Sequence, residues 1–308
     1  MRVAILPTGR MELLGVPSAL KALFPKHDFY SISKRPDDEE PLDSFTSSGK
    51  PIIPTEANGN VDKLVQQMAA ELVPGRGGGS PDLLVMLEDL EPVNAHQPAV
   101  VVQVFRDAMA RHVEQLRVGA PRLAGKVEEA LRLKASFHLA APMIEAWLFA
   151  DPNGPGNAGV PPERLPPNWE TARDPEDFLT RDPVYLADDC SACTAWRALP
   201  PKRQKEHKPQ WHRAQRDLHP KAFLAWLCRD PAEKKCSQYR ETHEGAKALR
   251  ILDWMAVLRC PEHCTYLRAL VEDLADGLGE ELALPVGGHV SPLTSHRERR
   301  ESPMLRNI

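Results

Sequence analysis

The sequence predicts an α/β protein: a Rossmann-like parallel sheet wrapped by helices, followed by a helical C-terminal section. Three observations carry this. The short runs at residues 2–6 and 83–87 are largely apolar, the mark of buried strands, and 136–141 reads as a further strand. Segments with apolar residues at helical spacing separate these runs. From Pro220 onward the helical spacing continues without further strands.

Residues 2–6 are the first strand, and Glu12 to Phe24 a helix in which Pro17 is tolerable only near the start or at a kink. Phe29 to Ile32 form a second strand, and the polar stretch 33–60 a long loop. Val61 to Val73 is an amphipathic helix that PGRGGGSP (74–81) breaks. The third strand ends at Glu88, with helices over Ala99–Leu116 and Lys126–Lys134 after it. Ser136 to Ala141 is a fourth strand that runs directly into a short helix, MIEAWLFAD (143–151). The expected organisation is an α/β core over 1–151 and a Pro-rich, charged excursion over 152–218. A helical section packed on the core follows over 219–290, then a polar, disordered tail over 291–308.

The 308 residues are 42% hydrophobic and 27% charged, with a net charge of -4. That balance excludes bulk positive charge as the means of holding nucleic acid, but not a local basic groove. No run approaches the roughly 18 apolar residues of a membrane span. MRVAILPTGR has no apolar region of signal-peptide length, so a cytoplasmic location is expected. Six cysteines are too sparse for a secreted disulfide scaffold, and reduced thiols are expected.

In an open parallel sheet, ligands bind outside the carboxyl ends of the strands. Acidic residues fall there repeatedly: Glu12 after the first strand, Glu88, Asp89 and Glu91 at the third, and Glu145 after the fourth. Asp89 and Glu91 are two apart and share a face if the backbone is extended, with Glu88 pointing away. Same-facing carboxylates with a further one from another strand suit magnesium, or manganese, which takes hard oxygen ligands. An acidic strand end is also a common loop start, and Glu145 within IEAWL also fits an ion-pair partner. Arg10, in the opening turn, and Lys221, at the start of a helix, are candidate phosphate ligands. Each equally fits a carboxylate partner or a surface position.

Four segments, in order, resemble an uncharacterised bacterial family related to TOPRIM domains, the metal-dependent fold of topoisomerases, primases and OLD-family nucleases. They are TGRMELLGVPSALKALFP, LLVMLEDLE, SFHLAAPMIEAWLFAD, and HPKAFLAWL followed by YRETHEGAKALRILDW. The resemblance spans about residues 1–275 and implies a TOPRIM-like fold. In it, Glu12 matches the second glutamate of the opening motif. Asp89 and Glu91 match a D-x-D pair whose second aspartate is here a glutamate. The resemblance implies a magnesium-dependent phosphodiester hydrolase, a nuclease of bacterial antiviral defence acting with a partner ATPase. Its catalytic and metal-binding set would be Glu12, Asp89 and Glu91, with Glu145 in support. Thr8 departs from the pattern, standing where TOPRIM proteins carry a glutamate, and a threonine cannot serve as acid/base in the same way. Either Glu145, Asp151 or Glu88 replaces it, or hydrolysis is lost and a module that binds a protein partner or nucleic acid remains.

Two further features carry weaker chemistry. The basic stretch 202–216, with Trp211, offers backbone contacts and a stacking platform for nucleic acid, or is a solvated loop. Cys190 and Cys193, with Cys260 and Cys264, have spacing compatible with a structural zinc site, or are unrelated thiols. PGRGGGSP lacks the lysine and Ser/Thr of a phosphate-binding P-loop.

Overall fold

The computed structural model describes residues 1–34, 40–56, 58–75, 78–165, 173–188, 197–206, 215–229, 239–283, 285, 287–288 and 304–308. Strands β1 (Arg2–Pro7), β2 (Asp28–Ser31), β3 (Leu83–Asp89) and β4 (Ala135–Ala140) form one sheet in the order β2-β1-β3-β4. All its pairings are parallel. The α/β Rossmann-like fold with a helical C-terminal region is thus as predicted.

Alternate side chains of the strands enter two separate cores. Val3, Ile5, Val85 and Leu87 pack under α1 (Arg10–Leu23) and the C-terminal helices, among them Pro220–Leu227, Ala246–Arg250 and Thr265–Leu278. Ala4, Leu6, Leu84 and Met86 pack under α2 (Gly59–Leu72), α3 (Pro98–Gly119) and α4 (Pro121–Lys134). β1 and β3 carry long apolar runs because both of their faces are covered. Pro98 and Pro121 begin their helices, where a missing N–H costs nothing. Pro17 is accommodated inside α1. No helix among the described residues is long and apolar enough to cross a membrane.

Two segments depart from expectation. HEGAKALRILDWMAVL is not one helix: a π-helical turn (Glu241–Gly245) leads into Ala246–Arg250, and helix resumes only at Trp254–Val257. Asp253 causes the restart, since its carboxylate accepts the Ala256 N–H at 3.0 Å as an N-cap. Its own N–H donates to Asp151 at 3.1 Å.

The second departure is the tail. Residues 304–308, expected within a disordered segment, are packed, with Leu305, Arg306, Asn307 and Ile308 all buried. Residues 291–303 of that segment lie outside the described residues. β4 is an edge strand, and its outer backbone groups are satisfied here: Arg306 N–H donates to Ala135 O at 2.7 Å. The Asn307 side chain accepts from Phe137 N–H at 3.1 Å and donates to Phe137 O at 2.8 Å. Arg306 and His138 both reach Asp273, each at 3.2 Å. Asn307→Ala orphans two buried backbone groups, each worth about 1–3 kcal/mol. Chemical denaturation is expected to show that loss, and a variant as stable as the parent would contradict the docking.

Candidate active site

The carboxyl ends of the strands open into a cleft of about 350 Å³. From β1 the chain turns through Thr8 and Gly9 into α1, placing Glu12 in its first turn. Gly9 is required there: a Cβ on it would lie 2.1 Å from Glu12 Oε2. The Glu12 carboxyl therefore folds back over the turn, buried at 4% exposure.

β3 ends at Asp89, whose Oδ1 accepts the Ile144 N–H at 2.9 Å, just ahead of α5 (Glu145–Ala150). Glu145, the first residue of α5, is buried and faces the cleft. Glu91 also lines the cleft, but not by sharing a strand face with Asp89. The strand has ended, and Glu91 sits at φ 64°, ψ 143°, with its N–H on Pro142 O at 2.7 Å. A non-glycine residue at positive φ costs energy, and such strain collects at functional sites. Glu12, Asp89, Glu91 and Glu145 thus do meet at one cleft.

The other candidates to replace the missing acid at Thr8 do not. Glu88 does not line the cleft; it is fully buried, with the Thr8 side chain among its hydrogen-bond partners. Its Oε1 accepts from Ser44 Oγ (2.6 Å), Phe45 N (3.0 Å), Thr46 N (3.1 Å) and Thr46 Oγ1 (2.8 Å). It anchors the loop that forms one cleft wall. Asp151 accepts from Asn153 N at 2.8 Å and Asp253 N at 3.1 Å, away from the cleft. Thr8 itself lines the cleft.

Of the predicted phosphate ligands, Arg10 is exposed at the cleft and makes no hydrogen bond or ion pair among the described residues. Lys221 is otherwise: its Nζ lies 2.6 Å from Glu241 Oε1 and 3.9 Å from Glu145 Oε1. Tyr239, buried behind them, points its hydroxyl at Glu145 Oε1 over 3.4 Å. Lys34, at the carboxyl end of β2, pairs with Asp43 at 2.7 Å and Glu40 at 3.4 Å on the cleft wall. Lys34, Tyr239 and Glu241 were not among the predicted site residues. The strand-end rule reaches Lys34 once β2 is counted, whereas Tyr239 and Glu241 lie in the segment YRETHEG, which carries the resemblance but is not predicted as part of the site.

Burial and mutual repulsion dominate the electrostatics. Glu12 is pushed up to about 8, by burial first and then by the Glu145 charge. Asp89 is raised well above the usual range by burial, then by Glu12, Glu145 and Glu91. Glu145 is raised to about 7 by burial, with Lys221 holding it down and Glu241 pushing it further. Burial opposes the Lys221 charge, yet Glu145 and Glu241 together lift that ammonium above its ordinary value. The carboxyls are short of positive charge.

The donor chemistry suits a hard divalent cation, since every candidate ligand is a carboxyl oxygen. Among the described residues, however, no three His, Cys, Asp or Glu side chains are grouped as a metal-holding set. The acids converge on the cleft rather than on one point. For zinc, Cys190 and Cys193 lie outside the described residues. Cys264 is buried and its thiol is pushed far up by that burial, opposite to the thiolate a metal needs. Cys260 donates to Glu262 at 3.2 Å. Trp211 and most of the basic stretch 202–216 also lie outside the described residues, except the short helix Pro201–Glu206 and residues 215–216.

No family model, no curated protein and no solved structure matches this chain.

Proposed function

We propose that the chain is a magnesium-dependent phosphodiester hydrolase working in the cytoplasm. The observation that carries this is the convergence of Glu12, Asp89, Glu91 and Glu145 from three strand ends on one cleft. Burial first, and then their mutual repulsion, raises the pKa values of Glu12, Asp89 and Glu145. The TOPRIM-like segments imply a nuclease of bacterial antiviral defence with an ATPase as partner, a form that the predominantly acidic lining of the cleft does not favour.

Glu12, Asp89 and Glu91 line the cleft without being grouped as a metal-holding set, and they would have to draw together to hold magnesium or manganese. Bound there, the ion would supply Lewis acidity toward a phosphoryl oxygen and a more acidic water. Arg10, exposed and uncommitted among the described residues, pairs with the substrate phosphate. Glu145, whose pKa burial raises, is the carboxyl placed to exchange a proton, the work that Thr8 cannot do. Lys221 and Tyr239 hold its carboxyl in place.

The test is hydrolysis of a broad phosphodiester panel with magnesium and with a chelator, beside manganese binding followed by its paramagnetic signal. Metal-stimulated hydrolysis and saturable binding are expected. Neither appearing at high metal would favour a second reading, a catalytically inactive module that binds a protein or a nucleic-acid end. One observation supports that alternative: Lys221 already places a cation among the carboxyls.

A further inference from the structure

We infer that the cleft takes a small phosphodiester with a single negative charge, about the size of one nucleotide unit, and not a nucleic-acid polymer. This rests on the cleft being a phosphodiester hydrolase site, and it narrows the substrate of that site.

The first ground is charge. The cleft is lined by seven acidic side chains against three basic ones. Two of the three cations are engaged by the protein itself. Lys34 is held by Asp43 and Glu40, and Lys221 by Glu241 and Glu145. Only Arg10, among the described residues lining the cleft, is uncommitted. One guanidinium matches one phosphate in a forked, paired geometry. A polymer is held otherwise, by some 6–10 neutralised phosphates in proteins that bind it firmly.

The second ground is the rim. Glu40 and Asp43 have side chains 46% and 49% exposed, and Glu241 is 28% exposed. A strand laid across the mouth would bring its flanking phosphates toward these carboxylates. At physiological salt such charges are felt over about 8 Å, further than the spacing of neighbouring phosphates. A substrate with one phosphodiester brings no flanking phosphates to that rim, and its own charge is met by Arg10.

The third ground is size. The cleft volume of about 350 Å³ falls at the small end of the roughly 300–1,000 Å³ range of small-molecule pockets. The wall that bounds it on the rim side, residues 40–47, is tied down by the four hydrogen bonds to Glu88. The narrowness is therefore built in.

The experiment compares, with magnesium present, a cyclic nucleotide, a dinucleoside monophosphate, a long single strand and a long duplex. The small substrates are expected to lead in kcat/KM per phosphodiester by roughly a hundredfold, since polymers gain little from one neutralised phosphate. Their KM should depend only weakly on salt, since a lone phosphodiester carries no condensed counterion atmosphere to release. In Glu40→Gln/Asp43→Asn the rim loses two charges and Lys34 is released. Oligonucleotide KM should fall there and its salt dependence steepen. Preference of the parent protein for long strands with a steep salt slope overturns the inference while the hydrolase function stands. An unchanged oligonucleotide KM in the double variant overturns the rim's role. No hydrolysis of any substrate, with metal bound or not, overturns both.

Discussion

Asp89→Asn is expected to remove magnesium-dependent hydrolysis, by roughly a thousandfold, the scale at which losing one well-placed electrostatic group is felt. The fold is expected to survive. Asparagine keeps an oxygen for the Ile144 N–H that Asp89 Oδ1 accepts at 2.9 Å, so the entry to α5 stays tied to the end of β3. It also removes a carboxyl whose pKa burial, Glu12, Glu145 and Glu91 all raise, so the neighbours' repulsion is relieved. Melting temperature should therefore hold or rise while activity and manganese affinity fall together. Activity retained in Asp89→Asn would remove Asp89 from the site. A large fall in melting temperature would instead assign it a structural part.

A fall in stability of the metal-free protein between about pH 5 and 8 is the second large effect. Glu12 and Glu176 are both raised from 4.5 to about 8, and Glu145 from 4.5 to about 7. In each case burial is the leading cause. A carboxyl whose folded pKa exceeds its unfolded value takes up a proton on folding. Its contribution is complete below about 4.5 and is lost as pH rises through the folded value. Each group is worth on the order of 1.4 kcal/mol per pH unit inside its window. The carboxyls lowered by folding, such as Asp273, act at more acid pH than this window. Glu176 caps the helix Thr265–Leu278 by accepting from Tyr266 N and Leu267 N at 2.8 Å each, remote from the cleft. Glu176→Gln should thus flatten part of the pH profile without changing its response to magnesium. Glu12→Gln should flatten another part and weaken the response. A melting temperature that climbs steadily from pH 5 to 8 without metal would contradict the buried acid cluster.

Much of the core could be read directly. LLVMLED is apolar without alternation because both faces of β3 are covered, and its acidic end marks the edge where a parallel sheet binds ligands. Glu12 and Glu145 follow by the same rule, as does Lys34 once β2 is considered. Other features could not be read locally. An extended backbone predicts Glu91 beside Asp89 on one face, but Glu91 reaches the cleft through a positive φ. Arg10 and Lys221 looked alike as candidate phosphate ligands, but only the fold separates the uncommitted guanidinium from the paired ammonium. The tail SPMLRNI is polar enough to pass for a solvated end, yet Arg306 and Asn307 are the groups that satisfy an edge strand.

By itself the sequence determined the layering of this protein and the edge at which its acids gather. Those features follow from the period of buried side chains and from strand polarity, which are local. Tertiary structure alone decided which charges are spent on one another. Glu88 with Ser44 and Thr46, Lys221 with Glu241, and Asn307 with Phe137 are pairings between segments that share no local pattern. Burial makes each of them consequential, because a polar group removed from water must find its partner in the fold or lose its charge.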